Sequence, residues 1–187
     1  MGKQFAHIEQ THREFIEQQH IFFNASATSL GRVNVSPRDV ASLRILDDRT
    51  VIYLDRTGSG NETAAHLLAD GRLTLMFCAF SGRPLILRLY GRGRIVKRHS
   101  AEYGNLLAAY YGSMEVPGAR QIVHLDVDLV LTSCGYNVPF YNYVGERDHL
   151  TRWAETKGDA ALEQYRREKN STSIDGLPTG MFETISS

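Results

Sequence analysis

The chain has no charge excess. Lys plus Arg and Asp plus Glu both number 21, so the formal net charge is zero. No one-signed field is available to recruit nucleic acid or an anionic membrane, and a DNA-reading module would need a basic face. Cysteine is scarce as well. Cys78 and Cys134 make neither a disulfide framework nor a metal-binding spacing. No apolar run approaches the roughly 18 residues of a membrane span. The opening Met1-Gly2-Lys3-Gln4-Phe5-Ala6-His7 leads into polar sequence, unlike the apolar core of a secretory signal. Together these absences predict a protein of the reducing cytoplasm, with no membrane or nucleic-acid partner.

What is present is enough for a core. The 187 residues are 42% hydrophobic, which suits one domain of about 100–200 residues. We read 1–187 as that domain, with a helical C-terminal extension at 146–169 and an extended tail at 170–187. Residues 4–20 carry Phe5, Ile8, His12, Phe15 and Ile16 at helical steps. His7 and His12 fall on different faces of such a helix and read as surface or internally satisfied histidines. Short β-rich runs follow at 20–26, 31–35, 43–46, 50–55, 72–80, 85–97 and 121–132. Leu73 to Phe80 is apolar on both faces and predicts a covered central strand. Leu85 to Val96 alternates, with Leu85, Leu87, Leu89 and Ile95 opposite Arg88, Tyr90, Arg92 and Arg94. Gly91 and Gly93 inside it predict the coiling that a closed barrel needs. Ser59 to Asp70 and 100–111 predict short helices, the first opened by a Ser59–Glu62 capping box and the second by Ser100. After residue 145, Lys157-Gly158-Asp159 divides one apolar helical stripe from the next. The fold class is α+β, mainly β: a six-stranded antiparallel split barrel with flanking helices.

The most informative segment is Asp55-Arg56-Thr57-Gly58-Ser59-Gly60-Asn61-Glu62-Thr63, which runs from a strand into a helix start. Its glycines allow close backbone approach, and unpaired N–H groups beside hydroxyls favour a phosphate dianion. The P-loop ending Gly-Lys-Ser/Thr and the GxGxxG pattern are both missing. On spacing alone, a phosphate loop and a glycine-rich turn closed by its own capping box both remain open.

With strands on both sides and the Arg88 strand after it, this segment resembles the FMN-binding split barrel of the pyridoxamine 5′-phosphate oxidase superfamily. The barrel likeness spans about 22–132. Thr132 to Pro139, Gly145-Glu146-Arg147-Asp148 and Ser173 to Gly180 resemble a little-characterised branch distinct from the true oxidase. The resemblance implies a homodimer with its cofactor, FMN or alternatively the deazaflavin F420, at the subunit interface. It places Thr57, Gly58, Ser59, Asn61, Glu62 and Thr63 around the phosphate. Asn34, Val35 and Ser36 then lie near the ring or ribityl chain, with Arg88 as the cation; Arg38 and Arg44 are weaker alternatives. A guanidinium suits a phosphate bidentately. Tyr136 is expected to touch the cofactor site, and Cys134 to be a packing residue.

Three departures shape the expected function. Asn61-Glu62-Thr63 stands where the oxidase has Ser-Arg-Lys, Leu85-Ile86 stands where it has Arg-Gln, and the arginine-rich C-terminal substrate motif is absent. Glu62 beside a dianion is tolerable if it turns away, and a bond from the Ser59 N–H would turn it. The expectation is an FMN-dependent oxidoreductase of unknown substrate that does not oxidise pyridoxamine phosphate. The alternative is a non-catalytic binder of flavin or another flat ligand. No catalytic residue and no metal ligand is assigned.

Overall fold

In a computed structural model, residues 2–183 are described; Met1 and 184–187, the last of the tail among them, lie outside. The strands are β1 (Lys3–Phe5), β2 (Ile21–Ser26), β3 (Asn34–Asp39), β4 (Leu43–Ile45), β5 (Thr50–Arg56), β6 (Arg72–Cys78), β7 (Ile86–Lys97) and β8 (Ala119–Ser133). The helices are α1 (Gln10–Glu17), α2 (Glu62–Ala69), α3 (Ala101–Tyr110) and α4 (His149–Lys169). Seven strands run in the order β3-β2-β6-β7-β8-β5-β4, and β1 pairs with β8 off that path. All pairs are antiparallel. The strand count therefore exceeds the expected six: all seven β-rich runs form strands, and the helix expected over 4–20 begins at Gln10 and leaves 3–5 to join β8 as an eighth.

The sheet curls because β8 carries a bulge. Tyr90 pairs with Leu129 but Gly91 pairs with Val127, so Asp128 is the extra residue. A side chain at Gly91 would overlap the Asp126 carbonyl, which is why the bend needs glycine there. Alternation then sends Phe22, Leu75, Phe77, Leu87, Leu89, Val51, Tyr53 and Leu125 into one core. A second cluster of Ile52, Leu54, Val96 and Ile122 sits on the other face beneath Tyr103 of α3. Curling is tight enough for Arg38 of β3 to meet Asp55 of β5 at 2.9 Å. The result is a mainly-β split barrel with four flanking helices.

Local signals explain most boundaries. Ser100 caps α3 by accepting the Tyr103 N–H at 3.1 Å. His12 is buried, accepts the Glu9 N–H at 3.1 Å and meets the Phe5 ring edge-on, a satisfied core histidine. Gly158 breaks the helical backbone inside α4 with φ 69°. The strand expected at 31–35 forms instead at 34–39, where Pro37 is tolerated because β3 is an edge strand. Within the part of the tail that is described, residues 172–178 form a closed turn, with Thr172 bridging Pro178.

Candidate functional site

The glycine-rich segment leaves β5 at Arg56 and is locked from behind. Thr57 is buried: its hydroxyl donates to the Gly118 carbonyl at 2.9 Å and accepts from Arg166 Nε of α4 at 2.8 Å. The Gly58 carbonyl accepts from the Asn170 amide at 3.1 Å. Gly60 offers its carbonyl to Arg120 Nη1 at 2.9 Å. Asn61 is also buried, taking the Gln121 amide at 2.8 Å. Only Gly58, Ser59, Gly60, Glu62 and Thr63 of this segment face a cleft, of about 580 Å³.

A buried carboxylate organises the floor. Asp55 receives Arg120 Nε at 2.7 Å and Gln121 Nε2 at 2.8 Å, and pairs with Arg38 at 2.9 Å. Burial pushes its carboxyl up, but the two guanidiniums and the Gln121 amide outweigh this and hold it below the ordinary carboxylate value. Arg120 also donates to Asn170 Oδ1 at 2.9 Å. Arg38, Arg120 and Lys169 thus bring cationic groups to the cleft wall.

Glu62 stays on the cleft wall beside Gly60 and does not form the expected capping box. Its carboxylate accepts the Ile174 N–H at 3.0–3.1 Å, and Asn61, not Ser59, stands at the helix start. On β3, Asn34, Ser36 and Arg38 point inward by strand alternation, while Val35 is 60% exposed on the opposite side. Asn34 donates to the hydroxyls of Ser26 at 3.2 Å and Thr63 at 3.1 Å, and Ser36 donates back to Asn34 Oδ1 at 3.2 Å. The structure therefore gathers Asn34, Ser36, Gly58, Ser59, Glu62 and Thr63 at one cleft. Thr57 and Asn61 serve from behind it, and the Val35 side chain is directed elsewhere.

Arg88 and Tyr136 are not brought to this cleft. Arg88 projects from the outer side of β7, where Nη1 donates to Ser133 Oγ at 3.1 Å. Tyr136 is 81% exposed in the loop after β8, and Cys134 is exposed there too, contrary to its expected packing role. That loop starts at Gly135, where a Cβ would come within 2.8 Å of the Leu85 nitrogen. Residues 139–148 then follow without regular structure, with Tyr141 against Phe80 and Tyr143 stacked on His20. Sequence reading missed Arg120, Arg166 and Asn170. Placing the last strand at 121–132 left Arg120 outside it, although a lone arginine entering an apolar strand was the available signal. Among the described residues no group of three or more His, Cys, Asp or Glu could hold a metal ion, and no helix is long and apolar enough to cross a membrane.

Fold and cleft define a class: an antiparallel split barrel whose strand–helix loop borders a cleft lined by Arg38, Arg120 and Lys169. Comparison with known proteins narrows this. Residues 8–134 match the family described as pyridoxamine 5′-phosphate oxidase, and the chain belongs to that family. It is 35% identical over 182 residues to the pyridoxamine 5′-phosphate oxidase family protein ustO of Aspergillus flavus, covering 89% of this chain and 73% of that protein. The fold is similar to that of HupZ from Group A Streptococcus, at TM-score 0.55 and 23% identity over 67% of this chain and 99% of that one. It is also similar to a Clostridium acetobutylicum protein related to general stress protein 26, of the pyridoxinephosphate oxidase family. There the TM-score is 0.50 at 13% identity, over 75% of this chain and 94% of the other.

Proposed function

We propose that the chain binds FMN with its phosphate in the cleft between the 58–63 loop and β3, and acts as an oxidoreductase of the reducing cytoplasm. The observation that carries this reading is the donor set of that cleft. Arg38, Arg120 and Lys169 supply positive charge, Ser36, Ser59 and Thr63 supply hydroxyls, and Glu62 is committed to the Ile174 N–H. Arg38 and Arg120 share the Asp55 carboxylate between them. With Lys169 the three cations outnumber the two carboxylates, Asp55 and Glu62, by one, an excess that favours an anion. The flavin, once bound, would supply hydride or electron transfer. The chain's own residues would hold and orient its phosphate, and Asn34 and Ser36, which line the same cleft, would meet the ribityl chain.

The same reading takes a homodimer as the working unit. Tyr136, Phe140, Tyr141 and Val144 are 64–98% exposed on one chain, an apolar surface that a second copy would cover. Arg88 stands on the outer side of β7 and would serve the partner's flavin, not its own. The cleft also favours a second reading, a binder without catalysis. No His or Cys lines the cleft, and Glu62 is its one carboxylate, so no evident acid or base faces a bound ligand. Freshly purified protein should be yellow, with an oxidised-flavin spectrum bleached by NAD(P)H. Colourless protein that takes up no added FMN would sink the flavin reading. Tight flavin without turnover by any reductant would favour the second reading, and mass spectrometry of the released ligand separates FMN from F420.

A further inference from the structure

The chain beyond α4 folds back on the cleft of its own protomer. Ser173 N–H donates to the Leu177 carbonyl at 2.8 Å and Gly176 N–H to the Ser173 carbonyl at 3.0 Å. With the Thr172–Pro178 bridge these bonds close residues 172–178 into a compact turn. Its base is tied by the Thr179 hydroxyl, which donates to the Asn170 carbonyl at 2.7 Å. Thr172, Ser173 and Ile174 form one wall of the cleft, facing the 58–60 loop.

Two fastenings hold the turn there. The Glu62 carboxylate takes the Ile174 N–H. The Asp175 carboxylate takes the Arg32 backbone N–H at 2.8 Å and pairs with the Arg32 guanidinium. Gly31 lets Asp175 come this close: its φ is 96°, and a Cβ there would stand 2.7 Å from an Asp175 oxygen. Little apolar burial backs these bonds, because Ile174 is 72% exposed. A segment held by a few exposed polar contacts opens at low cost compared with a core strand.

We propose that residues 172–178 are a clasp, closed in cis by Glu62–Ile174 and Asp175–Arg32, that governs how fast a phosphate-bearing ligand leaves the cleft. Charge couples the clasp to the ligand. When the clasp is closed, the Ile174 N–H partly screens the Glu62 carboxylate, which lines the cleft. When it is open, that carboxylate faces the loop unscreened and repels an anion more strongly. Opening is therefore costlier with an anion bound, and by reciprocity a bound anion favours the closed clasp. Only the identity of the ligand rests on the flavin reading.

The test uses the full chain and two probes, inorganic phosphate and FMN. Amide hydrogen exchange at Ile174 and Arg32 is followed with and without phosphate. FMN release is followed by fluorescence in wild type and in Asp175→Ala, a surface change that leaves the core intact. Phosphate should slow exchange at both amides, and Asp175→Ala should speed FMN release about tenfold while changing its association rate far less, the usual split when a contact is lost after docking. Gly31→Ala should act in the same direction by forcing Asp175 back. Exchange at Ile174 that ignores phosphate would overturn the clasp, as would wild-type release from Asp175→Ala. If the chain takes up no FMN, the flavin reading fails and the phosphate-dependent exchange alone decides the clasp.

Discussion

The 55–63 segment and the Arg88–Tyr136 region entered the sequence reading as one site, yet the structure finishes the first and leaves the second open. Around the loop, polar groups find partners within the chain: the buried Asp55 pairs with Arg38 and Arg120, and the half-buried Glu62 accepts the Ile174 N–H. Around Tyr136, aromatic rings and a thiol face outward, and Arg88 of β7 is held by a single serine hydroxyl. An anion pocket can be built by one chain folding on itself. A surface for a flat ring or a second subunit needs something the chain does not contain.

The comparison can be broken most sharply at Asp55. Asp55→Ala strands two guanidiniums, one of them buried, and should cost about 3–5 kcal/mol in urea unfolding. A loss below about 1 kcal/mol, the range of an exposed pair, would mean that the floor of the cleft is not the closed network described. Next in size, Arg38→Gln should weaken FMN binding about 10–100-fold, since a hydrogen bond to a charged group contributes about 1.5–3 kcal/mol. Arg88→Gln should leave affinity for inorganic phosphate unchanged. If the two arginines exchanged these outcomes by titration calorimetry, the two regions would have to be reassigned. On the open side, Tyr141→Asp should weaken self-association about tenfold or more in sedimentation, as for a central aromatic anchor. An unchanged sedimentation coefficient across dilution would remove the dimer from the proposal.

The smallest effect is a pH dependence belonging to neither region. His124 of β8 is held below the ordinary histidine value of 6.5, first by burial and then by Arg94, with Asp126, Glu102 and Asp47 opposing. A histidine lowered by folding contributes stability above its ordinary value and loses it as pH falls towards the folded value. Unfolding free energy should therefore begin to decline below about pH 6.5, and His124→Asn should flatten that decline. Unfolding curves that superimpose for both proteins between pH 7 and pH 5 would contradict the buried state of this ring.

Much of the barrel was legible because its cause is local. Alternation announced Leu87 and Leu89, Gly91 announced the bend, Ser100 the start of α3 and Gly158 the break in α4. The cleft was only half legible. Ser59, Glu62 and Thr63 reach it, as the glycine-rich spacing suggests, but the partners of Glu62 and Thr63 are distant in sequence: Ile174 for Glu62, Asn24 and Asn34 for Thr63. Arg120 carries only a weak local signal and Asn170 none, since their role exists only after β8 and the end of α4 are brought together. The capping box failed for a related reason. Glu62 had a local partner in sequence and a better-placed one in the tail, and the tertiary bond won. Val35 follows from register: three consecutive residues of a strand cannot share one face.

Arg166 and Asn170 lie beyond the 8–134 span matched to the family, yet they hold Thr57 and the Gly58 carbonyl in place. Trimming the gene to the shared span would thus remove the scaffolding of its most family-like loop while leaving strands β2 to β8 intact. A chimaera that grafts this barrel onto a relative's C-terminal portion inherits the same defect unless both side chains travel with it.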